Sequence, residues 1–331
     1  MASRTRSSSS KTTKTKKAKA LASPFGAAYE NQEEVPLVRK CGTMQVHFRL
    51  LEQDPNHRQL LGDLEHETSK RMVSGAAARV GLTTIPVVVH VVYSNAQQNI
   101  SVSQIKSQIS ALNRDYRAKN TDKSTVPAVF RGLVTDTGVQ FALAKKDPNG
   151  KKTNGITRTQ TTVAAFSDND AVKSSAHGGA DAWPADRYLN LWVCVLGGGL
   201  LGYAQFPGGH PATDGVVINY RAFGTKGTAS APFNLGRTAT HEVGHWLNLH
   251  HIWGDTADCS GSDFVSDTPN AQHPNFGKPN FPHTSCNNGP NGDMFMNYMD
   301  YVDDDAMVMF TAQQVVRMSA TLDGPRSSIG T

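Results

Sequence analysis

The stretch HEVGHWLNLHHIWGD, residues 241–255, decides the fold. No proline interrupts it or the GRTAT that precedes it, so the spacing predicts a helix through its first half. In a helix, residues four apart differ by about 40° around the axis and lie roughly 6 Å along it. His241 and His245 therefore share a face, and their imidazoles can meet one tetrahedral Zn²⁺ at about 2.0–2.1 Å. Glu242 is then placed to reach a water on that ion without ligating it. A metal that acidifies water, next to a carboxylate that moves the proton, is the chemistry of amide hydrolysis. Two surface histidines on an ordinary helix would give the same five letters, so the residues that follow decide between the readings.

A catalytic zinc needs a third protein ligand and one open position, and His250 and His251 are both close in sequence. On a continuous helix His250 would lie about 180° and His251 about 280° round from His241. Neither would meet the metal, so the chain must turn after His245. Such a turn needs a residue tolerant of positive φ, glycine first and asparagine second, and Asn248 is a permissible hinge.

At this point the sequence resembles the metzincin zinc endopeptidases, whose H-E-x-x-H-x-x-G-x-x-H pattern aligns with His241, Glu242, His245, Asn248 and His251. The resemblance selects His251 as third zinc ligand, leaves His250 as a neighbour pointing elsewhere, and puts asparagine where the family has glycine. It narrows to the pappalysin branch, which is ulilysin-like, on further segments. NYMDYVDDDAMVMF, residues 297–310, looks like that branch's Met-turn block. Met299 would lie beneath the metal, and Tyr301 would stabilise the oxyanion, a role suited to a phenol that donates to charge present only in the transition state. RKCGT, residues 39–43, resembles the branch's latency segment, in which the Cys41 thiolate would occupy the open zinc position of a zymogen. Without the resemblance, Cys41 is a lone thiol flanked by Arg39 and Lys40.

The resemblance also implies finer features. Asp305 aligns with an aspartate of the pocket for the residue after the scissile bond, where a carboxylate favours Arg or Lys. The alternative is that 303–305 is a solvated acidic loop. Cleavage before Lys70 or Arg71 in SKRMV would then be self-processing. Cys259 and Cys286 match one disulfide of the branch, while Ala306 stands where some relatives carry a cysteine of a second. CSGSDFVSDTP, residues 259–269, matches a calcium loop, with Asp263, Asp267 and Thr268 as oxygen ligands.

Composition sets outer limits. The 331 residues carry 33 basic and 28 acidic side chains, but seven of the basic ones lie in residues 1–20, which hold no acid. The remainder is near neutral, and no specific nucleic-acid partner follows. That Ser/Thr/Lys-rich tail, residues 1–29, has too few large apolar residues to offset ordering entropy and is expected to be disordered. No run reaches the roughly 18 apolar residues of a membrane span, and no clear signal peptide is visible. Secretion is implied by the resemblance alone.

Along the chain, residues 30–71 read as a polar pro-segment followed by a flexible dibasic stretch, and 72–331 as the catalytic domain. A buried strand is expected at about 84–93, a helix capped by Ser101 and Gln104 after it, and strands at about 138–145, 189–196 and 215–220. Cys194 falls inside the third of these as a core thiol, and the glycine-rich 197–209 suits a sheet edge. Thr311 and Gln314 cap a final helix.

The combined reading is an α+β fold of the metzincin-like zincin type: a mixed twisted sheet and the active-site helix in an upper subdomain to about residue 251, then an irregular lower subdomain, 252–331, ending in a helix. It implies a latent zinc endopeptidase with protein or peptide substrates along an edge strand, Zn²⁺ as cofactor and Ca²⁺ as a second ion. Two other classes remain: a zinc-binding but catalytically silent binding module, against which Glu242 and Tyr301 both speak, and a polyanion binder using the basic tail, which would lose salt-sensitive retention on nucleic acid when residues 1–20 are deleted.

Overall fold

A computed structural model describes Met1 and residues 36–74, 79 and 81–330. The basic tail lies outside the described residues.

The centre is β1 (Thr83–Tyr93), an eleven-residue strand buried along almost its whole length. Its Ile85, Val87, Val89 and Val91 enter the main core, while Val88, His90 and Val92 face the other side, against Tyr188 and Trp192. A strand covered on both faces reads as a continuous apolar run rather than an alternation, as TTIPVVVHVVY does. It pairs in parallel with β2 (Val139–Leu143), β3 (Ile156–Gln160) and β4 (Leu189–Cys194), and β4 pairs in parallel with β6 (Val216–Asn219). Among the described strands of this sheet, only β5 (Gly202–Ala204) runs antiparallel, on the outer side of β6. The sheet is mixed, as expected, and the glycine-rich segment supplies its edge.

Three α-helices pack on this sheet and its lower extension. The first, α3 (Val102–Tyr116), begins at Ser101, whose hydroxyl accepts from Gln104 N. Half of the expected box is missing, because the Gln104 amide turns inward to Tyr220 O and Phe223 O. The active-site helix α4 (Arg237–Trp246) is buried over its whole length. The last, α5 (Ala312–Asp323), carries the full reciprocal box of Thr311 and Gln314. Between α4 and α5 the chain is irregular apart from the two-residue pair β7 (Phe276–Gly277) and β8 (Tyr301–Val302), and is cross-linked by Cys259–Cys286. Among the described residues, Cys41 and Cys194 are free and buried, and no helix is long and apolar enough to cross a membrane.

The region before β1 departs from the expectation. In place of a polar segment with a flexible end there are two helices, α1 (Thr43–Gln53) and α2 (Pro55–Val73). Asp54 caps α2 through Asn56 N, Pro55 takes its first turn, and Lys70 and Arg71 sit at its C-terminal end, where they complement the dipole. Arg71 also pairs with Asp323 of α5. The dibasic stretch is thus a docked helix end.

Candidate active site

Helix α4 brings His241 and His245 onto one face, then stops in a tight cap. Asn248 takes φ +71°, Asn248 N–H donates to His245 O at 2.8 Å and Leu249 N–H to Gly244 O at 2.9 Å. This is the Schellman pair of bonds, in which a left-handed residue satisfies the last carbonyls of a helix. Asparagine thus serves the expected turn. The turn brings His251 back over the helix face and supplies Leu249 O, to which His245 Nδ1 bonds at 2.7 Å.

Each of the three histidines is oriented in the same way. His241 Nδ1 meets Tyr298 O at 2.7 Å, and His251 Nδ1 meets Asp255 Oδ1 at 2.6 Å. With every Nδ1 facing an acceptor, the proton of each neutral ring belongs there, and the three Nε2 lone pairs point at one another. They lie 3.0, 3.1 and 3.3 Å apart. Three acceptors at such separations have no donor among them. Bond lengths of about 2.0–2.1 Å in a tetrahedral zinc site place nitrogens about 3.3 Å apart, so the cluster fits that ion. Burial, together with the neighbouring rings, pushes His241 and His245 well below the usual imidazole range, which keeps both in the neutral form a metal requires. The fourth corner is Cys41 Sγ, within 4.8 Å of the three histidine nitrogens.

Under the cluster lies Met299, fully buried. A Cβ on Gly244 would stand 2.5 Å from Met299 Sδ, which explains the glycine inside HEVGH: the methionine and the helix backbone touch directly. Tyr301, two residues on, packs its ring 4.9 Å from that of His251 and 5.7 Å from that of His241. Burial raises its phenol well above the ordinary range, and the nearby Cys41 and Glu242 add to this, so it stays protonated and able to donate.

Glu242 is buried, and burial pushes its carboxyl up to about 7. Two groups from residues 39–43 cover it. The Thr43 hydroxyl donates to Glu242 Oε2 at 2.9 Å, and the Cys41 thiol donates to the same oxygen at 3.3 Å. The same segment lies along β5, with Leu201 N–H donating to Lys40 O, Gly42 N–H to Gly202 O, and Ala204 N–H to Thr43 Oγ1.

Asp304 and Asp305 stand in different surroundings. Asp305 lies on the surface, half exposed and paired with the exposed Lys278. Its neighbour Asp304 is the buried carboxylate: Oδ1 accepts from Arg39 Nη2 at 2.7 Å, and Oδ2 accepts from Leu235 N at 2.7 Å at the start of α4. Asp303 to Asp305 alternate in exposure around a turn, which a run of identical letters conceals. The residues expected to hold calcium are hydrogen-bonded within the protein. Thr268 donates to Asp263 Oδ2 at 2.6 Å, but Asp267 accepts from Thr311 Oγ1 and Gln313 N at the head of α5. Sequence reasoning passed over Asp255 and Thr43. The first lies four residues after His251, a spacing that could have signalled an orienting carboxylate; the second carries no signal outside the folded structure.

Three convergent imidazoles over a methionine, with a glutamate and a tyrosine beside them, define the zincin class of metallopeptidases. Residues 173–323 match the family model described as pregnancy-associated plasma protein-A. Proteins named extracellular metalloprotease are 32% identical in Arthroderma otae, covering 71% of this chain and 76% of that protein, and 33% identical in Pyricularia oryzae, covering 74% and 76%. Among solved structures, Tannerella forsythia mature mirolysin in complex with a cleaved peptide is 53% identical, with a TM-score of 0.74 over 76% of this chain and 96% of that one. A promirolysin variant from the same organism is 48% identical, with a TM-score of 0.81 over 88% and 96%. The chain belongs to this pappalysin family of metalloproteases, has the metzincin fold, and is a zinc-dependent peptide hydrolase.

Proposed function

We propose that the chain is the latent precursor of an endopeptidase that cuts before basic residues, with His241, His245 and His251 as zinc ligands and Cys41 closing the fourth position. The observation that carries this is the convergence of three Nε2 atoms and one cysteine sulfur on a single point. Zinc, when bound, acts as a Lewis acid on the scissile carbonyl and acidifies water.

The protein's own groups do the rest. Glu242 takes the proton of the attacking water and returns it to the leaving amine. Tyr301 donates to the oxyanion that develops at the carbonyl. The edge strand β5 holds the substrate backbone through the groups that residues 40–43 now occupy. As long as that segment stays, Thr43 holds Glu242, Cys41 would close the metal position, and the chain is silent. Residues 30–71 are then the removable pro-segment and 72–331 the catalytic part, divided near residue 251. In support, the promirolysin match covers 12% more of this chain than the mature mirolysin match, about the size of segment 36–74.

The basic preference rests on Arg39. Its guanidinium is buried, donates to Val302 O, Thr238 Oγ1 and Asp304 Oδ1, and lies 5.0 Å from the centre of the Phe233 ring. This is a pocket furnished for a planar cation, two residues from the metal-facing thiol. Asp304 takes the role expected of Asp305. Release beside Lys70 or Arg71 requires the last turn of α2 to unwind first. Secretion follows the naming of the relatives as extracellular. Calcium would bind at Asp263 and Thr268 after Asp267 leaves α5, and should then raise the melting temperature of the zinc-loaded chain.

Wild type and Glu242→Ala, purified side by side, test the core of this. Both should hold one zinc, and only the wild type should process itself, with a rate difference of about 10² or more. Equal processing by intact mass, or zinc in neither, overturns the reading.

A further inference from the structure

A carboxylate is bound on the catalytic chain at a place separate from the metal cluster. Arg317 of α5 is fully buried, and it donates through Nη2 to Glu65 Oε1 at 2.6 Å and through Nη1 to Glu65 Oε2 at 3.1 Å. The third arm of the guanidinium, Nε, donates to Asn248 O at 3.2 Å. Asn248 Nδ2 donates to Glu65 Oε1 at 3.0 Å, and His250 Nε2 lies 3.9 Å from the same oxygen. Glu65 itself is on α2, in the proposed pro-segment, and its side chain is 29% exposed. The donors all come from the other side of the interface.

Three features mark this as a built site. The bidentate geometry of Arg on carboxylate is the strongest and most directional ion pair available to a side chain. Among the described residues, Glu65 is the one carboxylate within ion-pair distance of Arg317. The apolar packing beside it is incomplete, with a cavity of about 260 Å³ lined in part by His47, Leu51, Phe206 and Phe264. Polar contact therefore carries what packing does not. The site also touches the turn between the second and third histidines, since Asn248 donates with its side chain to Glu65 and accepts with its carbonyl from Arg317.

We propose that Arg317, Asn248 and His250 form a carboxylate-binding socket, filled by Glu65, that acts as a second latch holding α2 on the catalytic chain independently of the Cys41 segment. The proposal rests on reading residues 30–71 as a removable segment. The ligand class is a carboxylate on a helix, and the occupant is this chain's own α2.

Hydrogen exchange on the full chain, kept intact by Glu242→Ala, tests it with and without Glu65→Gln. Glutamine keeps the length of the side chain and removes the charge. The expected result is exchange about tenfold or more faster at 55–73, as befits loss of a charge-assisted contact, with faster exchange at 247–252 and unchanged protection at 39–43. Glu65→Leu should act in the same direction, and Cys41→Ser should free 39–43 while leaving 55–73 protected. A change under about twofold at 55–73, or equal loosening of 39–43 and 55–73 in either variant, overturns the second latch. The removable-segment reading fails differently: the Cys41→Ser chain with Glu242 intact would then be no more active than wild type.

Discussion

Residues 241–255 and residues 39–73 both bear on the metal cluster, yet they are organised by opposite means. The first segment makes nearly all its own decisions. Its helix, its left-handed cap at Asn248 and the orientation of His245 by Leu249 O are settled within residues 237–249. The second is made by its contacts. Arg39 is placed by Asp304, Thr43 by Glu242 and Ala204, and Glu65 by Arg317, and these partners lie more than 150 residues away. A locally determined segment shows its structure in spacing; a docked one shows little until its partner is in place.

The sharpest way to break this contrast is at residue 248. If the turn is fixed by local backbone preference, Asn248→Gly should keep zinc and activity, because glycine accepts φ +71° at no steric cost. Asn248→Val should lose both, since a β-branched residue in the left-handed region costs more than the 1–2 kcal/mol charged to an ordinary one. His251 then leaves the cluster, and zinc affinity falls by about 10² or more, a span typical of disturbed ligand support. Zinc retained by the valine variant would mean that the surrounding structure, and not the residue, makes the turn.

Next in size is the pair Asp304 and Asp305, neighbours that the sequence cannot rank. Asp304→Asn should lower kcat/KM for substrates with Arg after the scissile bond by about 10- to 100-fold relative to those with Ala, in keeping with a lost charge-assisted hydrogen bond. Asp305→Asn, at an exposed pair, should change that ratio less than about twofold. Because Asp304 also accepts from the start of α4, the substrate ratio is the measurement that separates recognition from general damage. The opposite ranking would restore Asp305 to the pocket.

What could be read beforehand follows the same division. The two-sided burial of β1, the strand containing Cys194, the reciprocal cap at Thr311 and the shared face of His241 and His245 show in periodicity, capping residues or spacing, and the place of His251 showed through resemblance. So did the disulfide, through resemblance. β3 escaped notice because ITRTQ is partly exposed and pairs only with the far half of β1. The helices α1 and α2 escaped because their apolar faces are thin and are completed by β5 and α5. His250 was set aside as a neighbour of the true ligand, yet it stacks on Phe206 and lies near Glu65, a position given only by docking. Thr43 and Asp304 are of the same kind. A residue whose role is to meet a distant partner leaves no local trace.

The smallest effect concerns pH, and it follows one titration on the docked side. His47 of α1 packs against Phe206, and burial, reinforced by His57, lowers its imidazole to about 4, while Asp255 opposes the shift. A base whose folded value is depressed favours the docked state where it is neutral. Its contribution is therefore complete above the ordinary value near 6.5 and is lost as pH falls from there towards 4. Acid should loosen α1, and exchange at 43–53 in the Glu242→Ala chain should quicken between pH 6.5 and 4.5 beyond the intrinsic pH dependence of amide exchange. His47→Gln, which cannot take up the proton, should flatten that added slope while leaving the metal turn at 241–255 as protected as before. An unchanged slope would place the acid sensitivity elsewhere and deny α1 a titratable share in docking.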